Sequence, residues 1–103
     1  MAQGNEEQWE IMDNAYQVFL ERNARYKDLW QGDGVYGCLD LARHKFLRVI
    51  HHADELQDAV VAGNHEKASQ CQEHLEEDAV DAINYLCFVI RNARESRIVR
   101  PGV

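Results

Sequence analysis

The chain has little that breaks or diversifies a helix. Its single proline is Pro101, three residues from the end of the 103-residue sequence, so no ring interrupts the backbone before that point. No window alternates apolar and polar residues with a period of two, which excludes a sheet as the organising element. No apolar run approaches the roughly 20 residues that a membrane span requires. Three cysteines, Cys38, Cys71 and Cys87, form neither an even set nor a CxxC pair, which argues against a disulfide framework. Basic residues are missing altogether from positions 1–21, and the net charge is −7. That balance excludes a protein that coats a nucleic-acid polymer, since phosphate neutralisation needs a basic surface. Phosphate-binding GxxxxGK[ST], nucleophile-elbow GxSxG and post-strand GxGxxG motifs are also lacking.

What remains is amphipathic and helical. The 46% hydrophobic and 28% charged composition is that of a folded chain rather than a disordered one. Glycines at 4, 32, 34, 37, 63 and 102 punctuate it into three segments. The first spans about 6–25, with Trp9, Met12, Tyr16, Phe19 and Leu20 at spacings of three and four. A glycine-rich stretch, QGDGVYG, is read as the connecting loop. The second segment spans about 39–62, with Ala42, Phe46, Val49, Ala53, Leu56 and Val60 as its apolar stripe. Gly63-Asn64 ends it, and Asn64 is placed to cap the third segment, about 65–97, whose stripe includes Ala68, Cys71, Leu75, Ala82, Leu86 and Val89. The expected fold is all-α: one domain over 1–103, three helices in an antiparallel bundle, with tails at 1–5 and 98–103. A third helix of roughly 50 Å outreaches a compact domain of this size, so a homo-oligomer, a dimer or larger, is expected to complete the core. Cys71 and Cys87 are read as small core residues in a reducing, cytoplasmic setting, and MAQGNEEQWE lacks the basic-then-apolar pattern of a secretory leader.

Polar residues flank these stripes. Lys45, Arg48 and His52 line up on segment two, and His74, Asp78, Asp81, Tyr85 and Asn92 on segment three. Half-buried polar groups need partners. Two readings follow: Lys45 and Arg48 pair with Asp78 and Asp81 as a structural network, or the basic pair holds a phosphate while Asp81, Asn84 and Tyr85 read a sugar or base. The carboxylates raise a metal reading as well. Glu77, Asp78 and Asp81, with Glu73, offer oxygen ligands suited to Mg²⁺, and all-α nucleoside triphosphate pyrophosphatases use acidic pairs on two helices. Glu7 and Glu10 supply the other pair, although Trp9 on the stripe turns them toward solvent. The histidines suit no zinc site: His51 and His52 point about 100° apart on a helix.

Three stretches carry a resemblance. RYKDLW, then LDLARHKFLRVIH after a glycine-containing stretch, then EEDAVDAINYLCFVIR, resemble the nucleotide-modification-associated helical domains of bacteriophages and bacteria, over roughly residues 16–95. In this likeness Tyr26, Asp28 and Trp30 fill the first motif, Arg43, Lys45 and Arg48 the second, and Asp81, Asn84 and Tyr85 the third. Lys27 stands where the family pattern has glycine. The resemblance implies a small helical nucleotide handler, with no bound cofactor unless it is a Mg²⁺ enzyme, no membrane and no nucleic-acid polymer as partner, in the host cytoplasm if phage-encoded. Tyr26 and Trp30 are expected to form one wall of the site and the basic start of segment two another.

Overall fold

The structure, a computed structural model, describes residues 2–98. It contains three helices and, among the described residues, no strand: α1 (Ala2–Tyr26), α2 (Trp30–Val61) and α3 (His65–Arg94). No helix among the described residues is long and apolar enough to cross a membrane. α2 and α3 form a close antiparallel hairpin, and α1 lies more loosely on α3. α1 begins at Ala2, so the N-terminal tail expected over 1–5 is helical from that residue on. Of the expected C-terminal tail, 98–103, residue 98 lies past the end of α3 and residues 99–103 lie outside the described residues.

The hairpin turn follows from Gly63. Its φ of 70° is left-handed, which lets Gly63 N–H donate to Val60 O and Asn64 N–H donate to Ala59 O. Asn64 then starts α3 as its N-cap, its side chain accepting from Lys67 N–H at 3.1 Å. At the other end of α3 the same closure recurs with a serine. Ser96 sits at φ 56°, Ser96 N–H bonds Ala93 O, and Arg97 N–H bonds Asn92 O.

The first connection is shorter than the sequence suggests. It is Lys27–Leu29, and the expected QGDGVYG loop is instead the first two turns of α2. Lys27 and Asp28 reverse the chain with φ of 52° and 61°, and the Asn23 side chain holds the turn by accepting from Asp28 N–H at 3.1 Å. Of the three clustered glycines, only Gly34 uses the freedom glycine provides. Its φ of 66° and ψ of −172° break α2 once in a region almost closed to other residues. The break frees two backbone groups, and both find partners: Val35 N–H donates to Arg97 O at 2.8 Å, and Trp30 O accepts from the Asn92 side chain at 3.4 Å.

The core is built of small residues. Ala15, Cys38, Ala42, Ala59 and Cys71 are buried, with Trp30 the one large apolar side chain among them. Cys71 takes the core place expected of it, whereas Cys87 is exposed and Cys38 is the fully buried thiol. The apolar stripes are rotated from their expected lines. Phe46 and Val60 face outward on α2, as do Trp9, Met12, Tyr16 and Leu20 on α1. Ala42, Val49 and Leu56 keep their expected places facing α3, and Lys45 and His52, half-buried beside them, stand where Phe46 and Val60 were expected. Periodicity finds an apolar face, but it does not say which of two neighbouring faces the adjacent helix covers.

Two substitutions test this backbone. Lys27→Gly removes a side chain from a left-handed position and is expected to raise the unfolding free energy by about 0.5–1 kcal/mol. Gly34→Ala is expected to cost about 1–3 kcal/mol, because its backbone region is glycine's own. Denaturant midpoints of the two variants and the wild type read both effects.

Candidate functional site

α3 presents three buried polar side chains along its length. Asp78 is 4% exposed, Asp81 7% and Asn92 0%. An ionised carboxylate so placed requires cations with good geometry. α2 supplies two: Arg48 Nε donates to both Asp78 oxygens at 3.1 and 3.2 Å, and Lys45 Nζ donates to Asp78 at 3.4 Å. Lys45 Nζ also reaches Asp81 at 3.0 Å, and His52 Nε2 lies 3.0 Å from Asp78 Oδ2. α1 supplies the third cation, Arg22, which pairs with Asp81 Oδ1.

The electrostatics follow. Burial alone raises the Asp78 carboxyl, but the hydrogen bonds and charges of Arg48 and Lys45 outweigh it and hold it below the ordinary aspartate value. Burial alone lowers the Lys45 ammonium, and Asp81 and then Asp78 overcome it and hold it above the ordinary lysine value. Lys45 and Arg48 therefore hold Asp78 and Asp81, as the structural reading of their spacing has it.

The second group gathers around Trp30. Its ring stacks on Phe88 with centroids 4.8 Å apart and planes 6° from parallel, and the Arg91 guanidinium lies 4.2 Å from its centroid. Trp30 Nε1 donates to Asp28 Oδ1 at 3.3 Å, so Asp28 positions the indole. Asn92 Nδ2 reaches Trp30 O and Cys38 Sγ, and Arg97 Nε donates to Asn92 Oδ1 at 2.8 Å. Burial and the nearby Asp33 charge push the Cys38 thiol up, against the Asn92 hydrogen bond, so it stays protonated.

Between these groups lies a cleft of about 580 Å³ formed by the end of α1, the start of α2 and the middle of α3. It is bordered by the aromatic rings of Phe19, Tyr26, Tyr85 and Phe88, with Trp30 as its floor. Arg22, Arg25, Asn84 and Asp81 bring polar groups to it. Five residues singled out from the sequence thus share this cleft: Tyr26, Trp30, Asp81, Asn84 and Tyr85. Asn84 is anchored there by donating to Ala15 O at 3.0 Å. Asp28, Arg43, Lys45 and Arg48 do not line it; Arg43 is exposed elsewhere on α2. Arg22 and Arg25 were not singled out. For Arg22 the signal is its position four residues after Val18 and three after Phe19, the two half-buried side chains on that side of α1.

A second, more open cleft of about 800 Å³ separates the first half of α1 from α3. Glu7, Glu10, Glu73, Glu76, Glu77 and Asp81 line it, so Glu7 and Glu10 border one space with Glu77 and Asp81, whereas Asp78 lies outside it. Among the described residues, however, no three His, Cys, Asp or Glu side chains gather as ligands. Asp78 and Asp81 are committed to their cations. The residues do not fit a metal site in this arrangement.

No family model, curated protein or solved structure matches the chain.

The network sets a pH window. Asp78, lowered in the fold, contributes stability that is complete above its unfolded value of about 3.9 and is lost as pH falls through the lower folded value. Lys45, raised in the fold, contributes stability complete below about 10.4 and lost as pH rises through its higher folded value. Urea midpoints across pH are expected to hold a plateau at neutrality and fall at both ends. Asp78→Asn should flatten the acid limb, and Lys45→Met the alkaline one.

Proposed function

We propose that the chain binds a nucleotide or nucleotide-derived small molecule in the 580 Å³ cleft and holds it without turnover. The observation that carries this reading is the cleft's make-up. It has the size of a small-molecule site, aromatic rings on several sides, and arginines on one helix. Tyr26 and Tyr85 offer faces for a base, and such stacking contributes roughly 1–3 kcal/mol per base in single-strand binders. Arg25 supplies positive charge for a phosphate, with the Arg22 donors that its pair with Asp81 leaves over, a role first expected of Lys45 and Arg48. Asn84 supplies a hydrogen-bonding edge. The likeness of the three motifs to nucleotide-modification-associated helical domains is the reason to look for a nucleotide rather than another aromatic anion. Two settings fit it in a phage: modified-nucleotide metabolism, or sequestration of a nucleotide signal of host defence.

The rival reading is a Mg²⁺-dependent all-α nucleoside triphosphate pyrophosphohydrolase. Its support is the cleft that Glu7, Glu10, Glu73 and Glu77 share. It stands second because those carboxylates do not converge.

The two readings separate in one experiment. The protein is incubated with a panel of nucleotides and Mg²⁺, freed of unbound ligand, and denatured, and the released molecule is chromatographed. Intact nucleotide is the expected result, and pyrophosphate with a monophosphate would establish the rival. Calorimetry with the retained nucleotide should show Tyr85→Ala weakening affinity by about ten- to a hundredfold. Arg48→Ala should lower the melting temperature and leave affinity near wild type. Retention of no nucleotide at all would remove the proposal.

A further inference from the structure

The cleft occupies one side of the α2–α3 hairpin; the opposite side is apolar and uncovered. On α3, Asp81, Asn84 and Phe88 meet α1. Leu86 and Ile90 lie roughly 180° around the same helix, at 100° per residue. On α2, Leu41 lines the cleft, and Leu39, Phe46 and Ile50 lie roughly 180° from it. The two sets therefore face the same way, on neighbouring antiparallel helices. Phe46 is 59% exposed, Leu86 49% and Ile90 52%. Large side chains line this outer face while the core between the helices holds alanine and cysteine, the reverse of what a self-sufficient domain shows.

The areas say how much is uncovered. The chain exposes 7786 Å², against about 6,000 Å² for a compact chain of its mass. Its radius of gyration is 16.1 Å, against about 13 Å for a compact chain of its length. The excess, roughly 1,800 Å² over the whole chain with α1 included, is of the order a chain contributes to an obligate homodimer, whose interfaces bury roughly 2,000–5,000 Å² in total.

We propose that this face is the interface with a second copy of the chain, two α2–α3 hairpins packing across a two-fold axis into a four-helix bundle. An apolar face without a dominant charge is self-complementary, as a two-fold contact requires. α1 then lies outside the bundle, and each chain keeps its own cleft on the outer side. A ligand therefore binds one per chain, and binding and dimerisation are separable. This inference does not rest on the nucleotide reading.

Light scattering on the full chain at micromolar concentration is expected to give twice the chain mass of 11.9 kDa. Phe46→Glu should give a single-chain mass with its helix content retained by circular dichroism. Tyr16→Glu, on the exposed face of α1, should remain a dimer. A monomeric wild type would overturn the proposal. So would a dimeric Phe46→Glu, or dissociation caused by Tyr16→Glu alone. Should Phe46→Glu fail to fold, hydroxyl-radical labelling of the wild type decides: protection of Phe46 and Leu86 supports the interface, and full labelling of both removes it.

Discussion

Two carboxylates buried on one helix govern how the other two are placed. Asp78 and Asp81 cannot remain ionised in the interior unless cations come to them, and the cations come from different helices. Lys45 and Arg48 approach from α2 and Arg22 from α1. Replacing such a network by apolar residues is often neutral for stability, whereas removing one partner is costly. Its effect here is to fix register. With cores made of alanine and cysteine, α2 could slide along α3 with little loss of packing. A lysine bridging two carboxylates one turn apart permits a single alignment.

The same alignment builds the cleft. Asp81 shares in both the ion network and the cleft wall, so the position of α1 over α3 and the geometry of the cavity are set together. At the other end Asn92 performs an equivalent service. It satisfies the carbonyl left open by the Gly34 break and receives Arg97, which ties the residues after α3 to the start of α2. The motif residues thus divide by task. Lys45 and Arg48 align helices, Asp28 orients the indole, and Tyr26, Asn84 and Tyr85 face the cavity.

Much of this was legible in the sequence. Helix number, the Gly63-Asn64 turn with its asparagine cap, and the meeting of Lys45 and Arg48 with Asp78 and Asp81 follow from spacing and capping chemistry. The first turn was not, because its left-handed residues are Lys27 and Asp28 rather than glycine, while of the glycines that look like a loop only Gly34 leaves helical geometry. Nor were the buried faces of α1 and α2. Phe46 and Trp9 carry the strongest apolar signal on their helices, yet both are exposed in the single chain. Periodicity marks an apolar face, and whether that face is covered depends on where the neighbouring helix lies. Arg22 escaped notice for a related reason: on α1 alone it is an ordinary surface arginine, and its partner lies 59 residues away.

The slightness of α1's attachment has a kinetic meaning. It is held to α3 by Arg22, by the bond from Asn84 to Ala15 and by the Phe19–Phe88 contact, and its path into α2 turns at two backbone positions already strained. The free energy of opening is lowest where buried apolar contacts are fewest. α1 is therefore the unit that detaches first, pivoting at Lys27 and Asp28 while the α2–α3 hairpin stays whole. Because α1 is also one wall of the cleft, an excursion of that helix would open the cleft along the same side.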